Sequence, residues 1–302
     1  MRVFNFGSLN IDHVYSMDKF VSPGETLPSI SYSKFAGGKG LNQSIALAKA
    51  GIKVTHLGSV GEDGYFLRDL LDTHGVDAKE LQILSSASGH AIIQVDANGE
   101  NCIILHGGAN VKNDEDKVLQ KLQNAENGDI FLTQNETNGV AFLISKAKDL
   151  GLTTVFNPAP MTEDVSNYPL EKVDYLIVNY TEGKMLSGAS ESSKIIETLS
   201  QKYPRAKIVL TLGADGVIYK DDVEEIKVES IETEVIDSTS AGDTFSAYFI
   251  AGINMGLDVK AALRQGCKAS SICITREGAA NSIPSIDEVL EWFKNNDIEY
   301  CD

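Results

Sequence analysis

Short apolar runs alternate with amphipathic segments from one end of this chain to the other, and that rhythm leaves few folds open. Residues 3–7, 51–61 (GIKVTHLGSVG), 128–134 (GDIFLTQ), 153–160 (TTVFNPAP), 174–179 (DYLIVN) and 207–213 (KIVLTLG) read as strands. Residues 41–50, 65–74, 140–150 and 195–202 carry a helical period, and three more helical segments fill 242–297. Such alternation predicts an α/β protein: a doubly wound, mostly parallel, Rossmann-like sheet with helices on both faces. The 302 residues are enough for one domain of this kind. Ligands of these sheets lie beyond the carboxyl ends of the strands.

Two stretches break the rhythm. Residues 13–36 have no helical period and carry Pro23, Gly24 and Pro28, while 89–108 alternates and turns at Asn98-Gly99, a hairpin signal. Together they predict a small β-sheet lid inserted in a single domain spanning 1–302, although plain edge hairpins would give the same pattern. Acids outnumber bases 43 to 26, a formal charge of −17, which repels nucleic acid and anionic membranes. A phosphate-bearing ligand must then be held by backbone dipoles, a metal ion or a few placed cations. No run approaches 18 apolar residues, which excludes a membrane-spanning helix. The opening MRVFNFGSLNID reads as a first strand rather than a signal peptide. Cys102, Cys267, Cys273 and Cys301 lack metal-site spacing, so reduced, mostly buried thiols and a cytoplasmic location are expected.

Two glycine-rich helix starts carry the chemistry. In DSTSAGDTFSA (237–247), Asp243 falls in the first turn of an apolar helix, where unpaired N–H groups make an anion site and Gly242 permits close approach. An acid beside a phosphate site suits acceptance of a hydroxyl proton during attack on phosphorus. An ordinary capping Asp is the plainer alternative. In AGGKGLNQ (36–43), Gln43 breaks the dinucleotide fingerprint, and no Walker A motif is present. Lys39 and Asn42 among three glycines suit a polyol, and a tight strand-to-helix turn would look the same. Asn10 and Asp12 end the first strand two residues apart and point the same way, to bind hydroxyls or merely to solvate a strand end. TLGADG (211–216) and NYTE (179–182) read as strand ends with either ligand-binding or turn-and-cap roles.

These segments, with PGET, GEDGY, GGAN, NPAP and TREGA in order, resemble the ribokinase family of PfkB-type carbohydrate kinases over essentially the whole chain. The resemblance implies ATP as phosphoryl donor, Mg²⁺ and K⁺ as cofactors, and a homodimer formed through the lids. It casts Asp243 as catalytic base, with the N–H groups of Ala241, Gly242 and Asp243 as anion hole. Asn10, Asp12, Gly38, Lys39, Asn42 and Glu136 match the sugar-binding positions. Asn179, Thr211, Gly213, Ala214, Asp215, Gly216, Gly242 and Cys267 match the nucleotide-binding positions, Cys267 standing where the family often has Asn or His. Glu182 matches the residue that organises Mg²⁺ through water, and Asp237, Thr239, Cys273, Arg276, Gly278 and Ser282 match the ligands of K⁺.

The expected reaction is phosphorylation of the terminal hydroxyl of D-ribose. The same chemistry on a nucleoside, fructose or 2-keto-3-deoxygluconate is the alternative, for which Tyr32 and Phe35 (a purine) or Lys19 and Lys34 (an acid) would be the discriminating residues. A non-catalytic sugar sensor has no need of Asp243 or Glu182.

Overall fold

Burial on both faces shapes the central sheet, whose strands are buried along almost their whole length. In the structure, a computed structural model that describes residues 1–295, the strands are β1 (Arg2–Phe6), β2 (Asn10–Ser16), β3 (Ser31–Gly37), β4 (Lys53–Leu57), β5 (Ser59–Gly61), β6 (Gln82–Leu84) and β7 (Gly89–Val95). They continue with β8 (Asn101–His106), β9 (Ile130–Gln134), β10 (Thr153–Asn157), β11 (Tyr175–Asn179), β12 (Lys207–Thr211), β13 (Val217–Lys220) and β14 (Glu225–Val228). The helices are α1 (Lys39–Lys49), α2 (Tyr65–Thr73), α3 (Glu115–Leu122), α4 (Val140–Asp149), α5 (Tyr180–Ser187), α6 (Ser192–Lys202), α7 (Ala241–Met255), α8 (Val259–Cys273) and α9 (Ile286–Asn295).

The central sheet has the order β14-β13-β12-β11-β10-β9-β1-β4. It is parallel from β4 to β12 and ends in an antiparallel edge. Alternate residues feed two cores. Val3, Leu132 and Val155 pack with Leu41 of α1, Leu67 of α2, Phe249 of α7, Leu263 of α8 and Val289 of α9. Phe4, Phe131 and Phe156 pack with Val118, Ile144, Leu186 and Ile196 from α3–α6 on the other side. Helices on both faces explain why these strands are near-continuously apolar.

A four-stranded sheet, β3-β2-β7-β8, stands apart from the central one. Asn10 and Asp12 therefore open β2 of this second sheet, rather than ending the first strand, because the chain turns at residues 7–9. The sheet begins at Asn10, three residues before the expected insertion. Its outer strand β8 is exposed throughout, with Ile103, Ile104 and Leu105 each more than half exposed. Residues 51–61 divide into β4 and β5, and β5 pairs with β6 in a separate ribbon. Helices α3 and α5 and the β13–β14 edge escape the periodicity reading because each is short.

No helix among the described residues is long and apolar enough to cross a membrane. Cys267 and Cys273 are buried and Cys102 is exposed on β8, so most of the described cysteines are buried as expected, and Cys301 lies outside the described residues.

Helix α1 starts hard against the β1–β2 connection. The Leu41 N–H donates to the Ser8 carbonyl at 3.0 Å, and a Cβ on Gly40 would lie 2.4 Å from the Ser8 nitrogen. Gly38, at φ 97°, supplies the left-handed residue that turns β3 into the helix. Gly40→Ala should overpack this contact and destabilise the protein by about 1–3 kcal/mol. A melting temperature within about a degree of the parent would show that the contact yields freely.

Candidate active site

The carboxyl ends of β1, β9, β10, β11 and β12 form one rim, and two helix starts descend on it. The first is α7. Ser240 precedes it at φ 63°, the one non-glycine with positive φ among the described residues, and its hydroxyl is buried with no hydrogen-bond partner there. A left-handed serine costs about 1–3 kcal/mol and is retained where geometry demands it. Of the first N–H groups of α7, that of Ala241 donates to the Ser238 carbonyl at 3.2 Å, and those of Gly242 and Asp243 have no acceptor among the described residues. A Cβ on Gly242 would meet nothing within 4 Å, so this start is open to a ligand.

The second is α1, which lays Asn42 and Gln43 against Asp243. Asn42 donates from Nδ2 to Asp243 Oδ2 at 3.2 Å, and Gln43 from Nε2 to Oδ1 at 2.9 Å. Asp243 is 7% exposed. Burial pushes its carboxyl above the usual range, against the pull of the Lys39 ammonium and the two amides. The Asn42 Oδ1 is a buried acceptor with no partner among the described residues. Gln43 is the residue that sequence reasoning passed over. It was legible only as a break in a dinucleotide motif, although an amide adjoining Asn42 at the same helix start was a usable signal.

Lys39 is half-buried among three acids. Its ammonium is held above its ordinary value chiefly by Asp243, then by Glu136 and Glu182, against the opposing effect of burial. Glu136 accepts the Lys39 N–H at 3.0 Å and the Ser8 hydroxyl, and so caps α1. Asn10 is buried, its Oδ1 accepting from Asn110 Nδ2 at 2.8 Å, while Asp12 shares its face of β2 and packs on Gly37. Burial, then the nearby Glu136 charge, raises the Asp12 carboxyl to about 6.

Lys39, Asn179, Glu182 and Asp243 line one cavity of about 230 Å³. Thr211, Ala241 and Gly242 also line the adjoining cleft of about 880 Å³, together with Gly213, Ala214, Asp215, Gly216 and Cys267. Burial raises the Cys267 thiol to about 12, which leaves it unreactive. The plainer reading of NYTE is realised: Asn179 and Glu182 form a capping box on α5. Glu182 Oε2 accepts the Asn179 N–H at 2.9 Å, and Oε1 accepts from Asn179 Nδ2 at 2.8 Å. Burial raises this carboxyl above its ordinary value.

The proposed cation ligands also converge. Asp237 accepts from the Thr239 N–H at 2.8 Å and the Gly278 N–H at 2.9 Å, bonds that outweigh burial and hold its carboxyl low. Cys273 Sγ lies 3.1 Å from Ser282 Oγ and 3.7 Å from the Thr239 carbonyl. The Arg276 guanidinium pairs with Glu288, so only its backbone faces this loop cluster. Among the discriminating residues, Lys19 pairs with Glu25 at 2.6 Å and Lys34 lies over Phe66. Tyr32 bonds His13 at 2.8 Å and sits opposite Tyr15, on the face of the small sheet away from Asp12. Phe35 stands directly across from Asp12.

A carboxylate beside open helix-start amides, at the rim of a doubly wound sheet and next to a nucleotide-sized cleft, belongs to the α/β small-molecule kinases. Residues 2–286 match the description pfkB family carbohydrate kinase, and the chain is a member of that family, an ATP-dependent sugar kinase. It is 33% identical over 298 residues to the ribokinase of Haemophilus influenzae, covering 96% of this chain and 97% of the relative. It is 32% identical to the ribokinase of Staphylococcus aureus, with 95% and 98% covered. Among solved structures it is similar to Arabidopsis thaliana ribokinase complexed with ribose and ATP, with a TM-score of 0.88, 28% identity and 97% and 98% covered. Cryptococcus neoformans ribokinase in complex with ADP gives a TM-score of 0.83 at 31% identity, with 96% and 99% covered.

The raised Asp12 carboxyl has a consequence for stability. Ionised Asp12 is disfavoured in the fold relative to the unfolded chain, so the cost is present above pH 6 and vanishes as pH falls toward 3.8. Asp12→Asn should therefore stabilise the ligand-free protein by about 1–3 kcal/mol at pH 7–8. The gain should fade through the window from 6 to 3.8. A gain in melting temperature that is constant across pH would refute this origin.

Proposed function

We propose that this protein transfers the γ-phosphoryl group of ATP to the terminal hydroxyl of D-ribose, with Asp243 as general base. One observation carries the reading: Asp243 is held by Asn42 and Gln43 in a cavity that shares Gly242 with the large cleft. The name ribokinase on the most similar relatives, and the ribose and ATP bound in the Arabidopsis protein, favour ribose. The ion pair of Lys19 and the position of Lys34 over Phe66 count against an acidic sugar. The outward position of Tyr32 leaves a purine only Phe35 to stack on.

In this mechanism Asp12, Asn10, Asn42 and Glu136 bind sugar hydroxyls, aided by Lys39 and the close approach that Gly38 allows. The unpartnered Asn42 Oδ1 accepts a hydroxyl beside the base. ATP occupies the large cleft between Asn179, the 211–216 turn and Cys267, with its γ-phosphate on the N–H groups of 241–243. The sugar oxygen bonds to the γ-phosphorus as the bond to the bridging oxygen of ADP breaks, and the hydroxyl proton passes to Asp243.

No three-residue acidic, His or Cys cluster suited to a metal exists among the described residues, and both Glu182 oxygens serve its capping box. Glu182 therefore suits Mg²⁺ only through water. When bound, Mg²⁺ neutralises charge on the phosphates. Asp237, the hydroxyl of Ser282 and the carbonyls of Thr239, Cys273, Arg276 and Gly278 form a hard oxygen set that suits K⁺. The small sheet acts as a lid, and its apolar outer strand β8, with Ile103, Ile104 and Leu105, packs on a second copy to make a homodimer.

Asp243→Asn should lower kcat by about 10²–10⁴-fold with ATP binding intact, measured by coupled ADP release and calorimetry. Retention of more than about a tenth of the turnover would remove Asp243 from the role of base. Ribose should give the highest kcat/KM among ribose, deoxyribose, fructose and adenosine, and K⁺ should raise both turnover and melting temperature more than Na⁺. A flat response to ribose would displace it as substrate. Sedimentation should find a dimer that Ile103→Glu dissociates, and a monomeric parent would end the lid-to-lid assembly.

A further inference from the structure

Behind Asp243 lies a buried chain of amides whose polarity is fixed from outside the site. Its members sit at the carboxyl ends of β1, β9 and β10, at the positions where the two-residue period faces α1: Asn5, Gln134 and Asn157. Asn5, Gln134 and Gln43 are each no more than 1% exposed.

The chain starts at backbone carbonyls, which only accept. Asn5 Nδ2 donates to the Gly40 carbonyl at 2.8 Å and to Ser44 Oγ at 2.8 Å, so Asn5 Oδ1 faces Gln134. Gln134 Nε2 then donates to Asn5 Oδ1 at 3.0 Å and to Gln43 Oε1 at 2.7 Å. On the other side Asn157 Nδ2 donates to the Ile177 carbonyl at 2.9 Å, leaving Asn157 Oδ1 to accept from Gln43 Nε2 at 3.4 Å. Both neighbours thus impose one orientation on Gln43, with its carbonyl toward Gln134 and its NH₂ toward Asp243. The reverse orientation would point a carbonyl oxygen at a buried carboxylate.

We propose that Gln134 is a positioning residue for phosphoryl transfer, acting through Gln43 to keep N–H donors on Asp243 so that the base stays ionised. The inference rests on the reading of Asp243 as base. A donor to the charged form favours ionisation and an opposing acceptor disfavours it, and a buried carboxylate already raised by desolvation has little margin. Gln134 spends both amide hydrogens on this chain, and its Oε1 has no partner among the described residues. Its side-chain hydrogen bonds lie wholly in the relay, and on the reading above sugar and nucleotide are bound by other groups.

The test is Gln134→Met, read by pH profiles of kcat in the intact protein. We expect the acidic limb of the profile to move up by about one pH unit or more, kcat at pH values on that limb to fall about tenfold or more, and KM for ribose and ATP to change less than about threefold. In an Asp243→Asn background the same substitution should alter the residual turnover less than about twofold, because the group it acts through is gone. The proposal is overturned if Q134M keeps turnover within about twofold with the limb unmoved, or if the full penalty recurs in the D243N background. If Q134M does not fold, the isosteric Q134E carries the same comparisons with the same expected limb shift. High turnover in D243N alone would instead reject Asp243 as base, a separate outcome.

Discussion

The approach of α1 to the end of β1 sets the geometry on which the other parts of the site depend. With Gly40 against Ser8, the first turn of α1 lies low enough over the rim for Asn42 and Gln43 to reach across to α7. A helix raised by one methyl group would separate these amides from Asp243, and Asp243 would then be a buried charge with a single cationic neighbour. Buried carboxylates without hydrogen-bond donors neutralise by taking up a proton. On the reading proposed above, the contact between two backbones therefore bears on whether Asp243 can serve as a base. Fold and chemistry meet in a distance, not in a residue type.

A chain with a net charge of −17 still has to hold a polyanion. Its means are local. At the start of α7 the Ala241 N–H donates to the Ser238 carbonyl, while those of Gly242 and Asp243 have no acceptor among the described residues, and the left-handed Ser240 leads into this start at a conformational cost. Lys39 is the cation that three acids enclose, and they keep it charged rather than neutralise it. At short range a dipole array and one half-buried ammonium outweigh a distant acidic surface, because salt screens exposed charge over about 8–10 Å. The acidic surface repels large polyanions, whereas the local dipoles and Lys39 offset that repulsion for a small one.

Much of this was legible in the sequence, and the losses have physical causes. The alternation of strands and helices gave the sheet, since parallel strands covered on both faces leave long apolar runs. Glycines gave the helix starts, because close approach and left-handed backbone leave a chemical mark at single positions. Asn10 was misplaced at the end of a strand, since nothing in GSLN distinguishes a strand continuing from one turning into a second sheet. The short helices α3 and α5 have too few turns to show a period. Asn5, Gln134 and Asn157 were invisible for a different reason. Each is a polar residue near the carboxyl end of a mainly apolar strand, and only the sheet register brings β1, β9 and β10 side by side.

Asp12 and Asp243 share an electrostatic character that bears on how such a pocket works. Both are carboxylates raised by burial, and Asp12 is raised further by Glu136. In the ligand-free protein this is a cost, since like charges and desolvation both oppose ionisation. Sugar hydroxyls are donors, and each one that reaches a carboxylate oxygen stabilises its charged form. On the reading proposed here, binding of the polyol would therefore lower the pKa of the groups that bind it. On that reading the pocket suits a ligand rich in hydroxyl donors, since an anionic acceptor beside Asp12 would add to the repulsion it already meets from Glu136. On the reading proposed here, burial of acids would favour a neutral sugar before any hydrogen bond discriminates between one sugar and another.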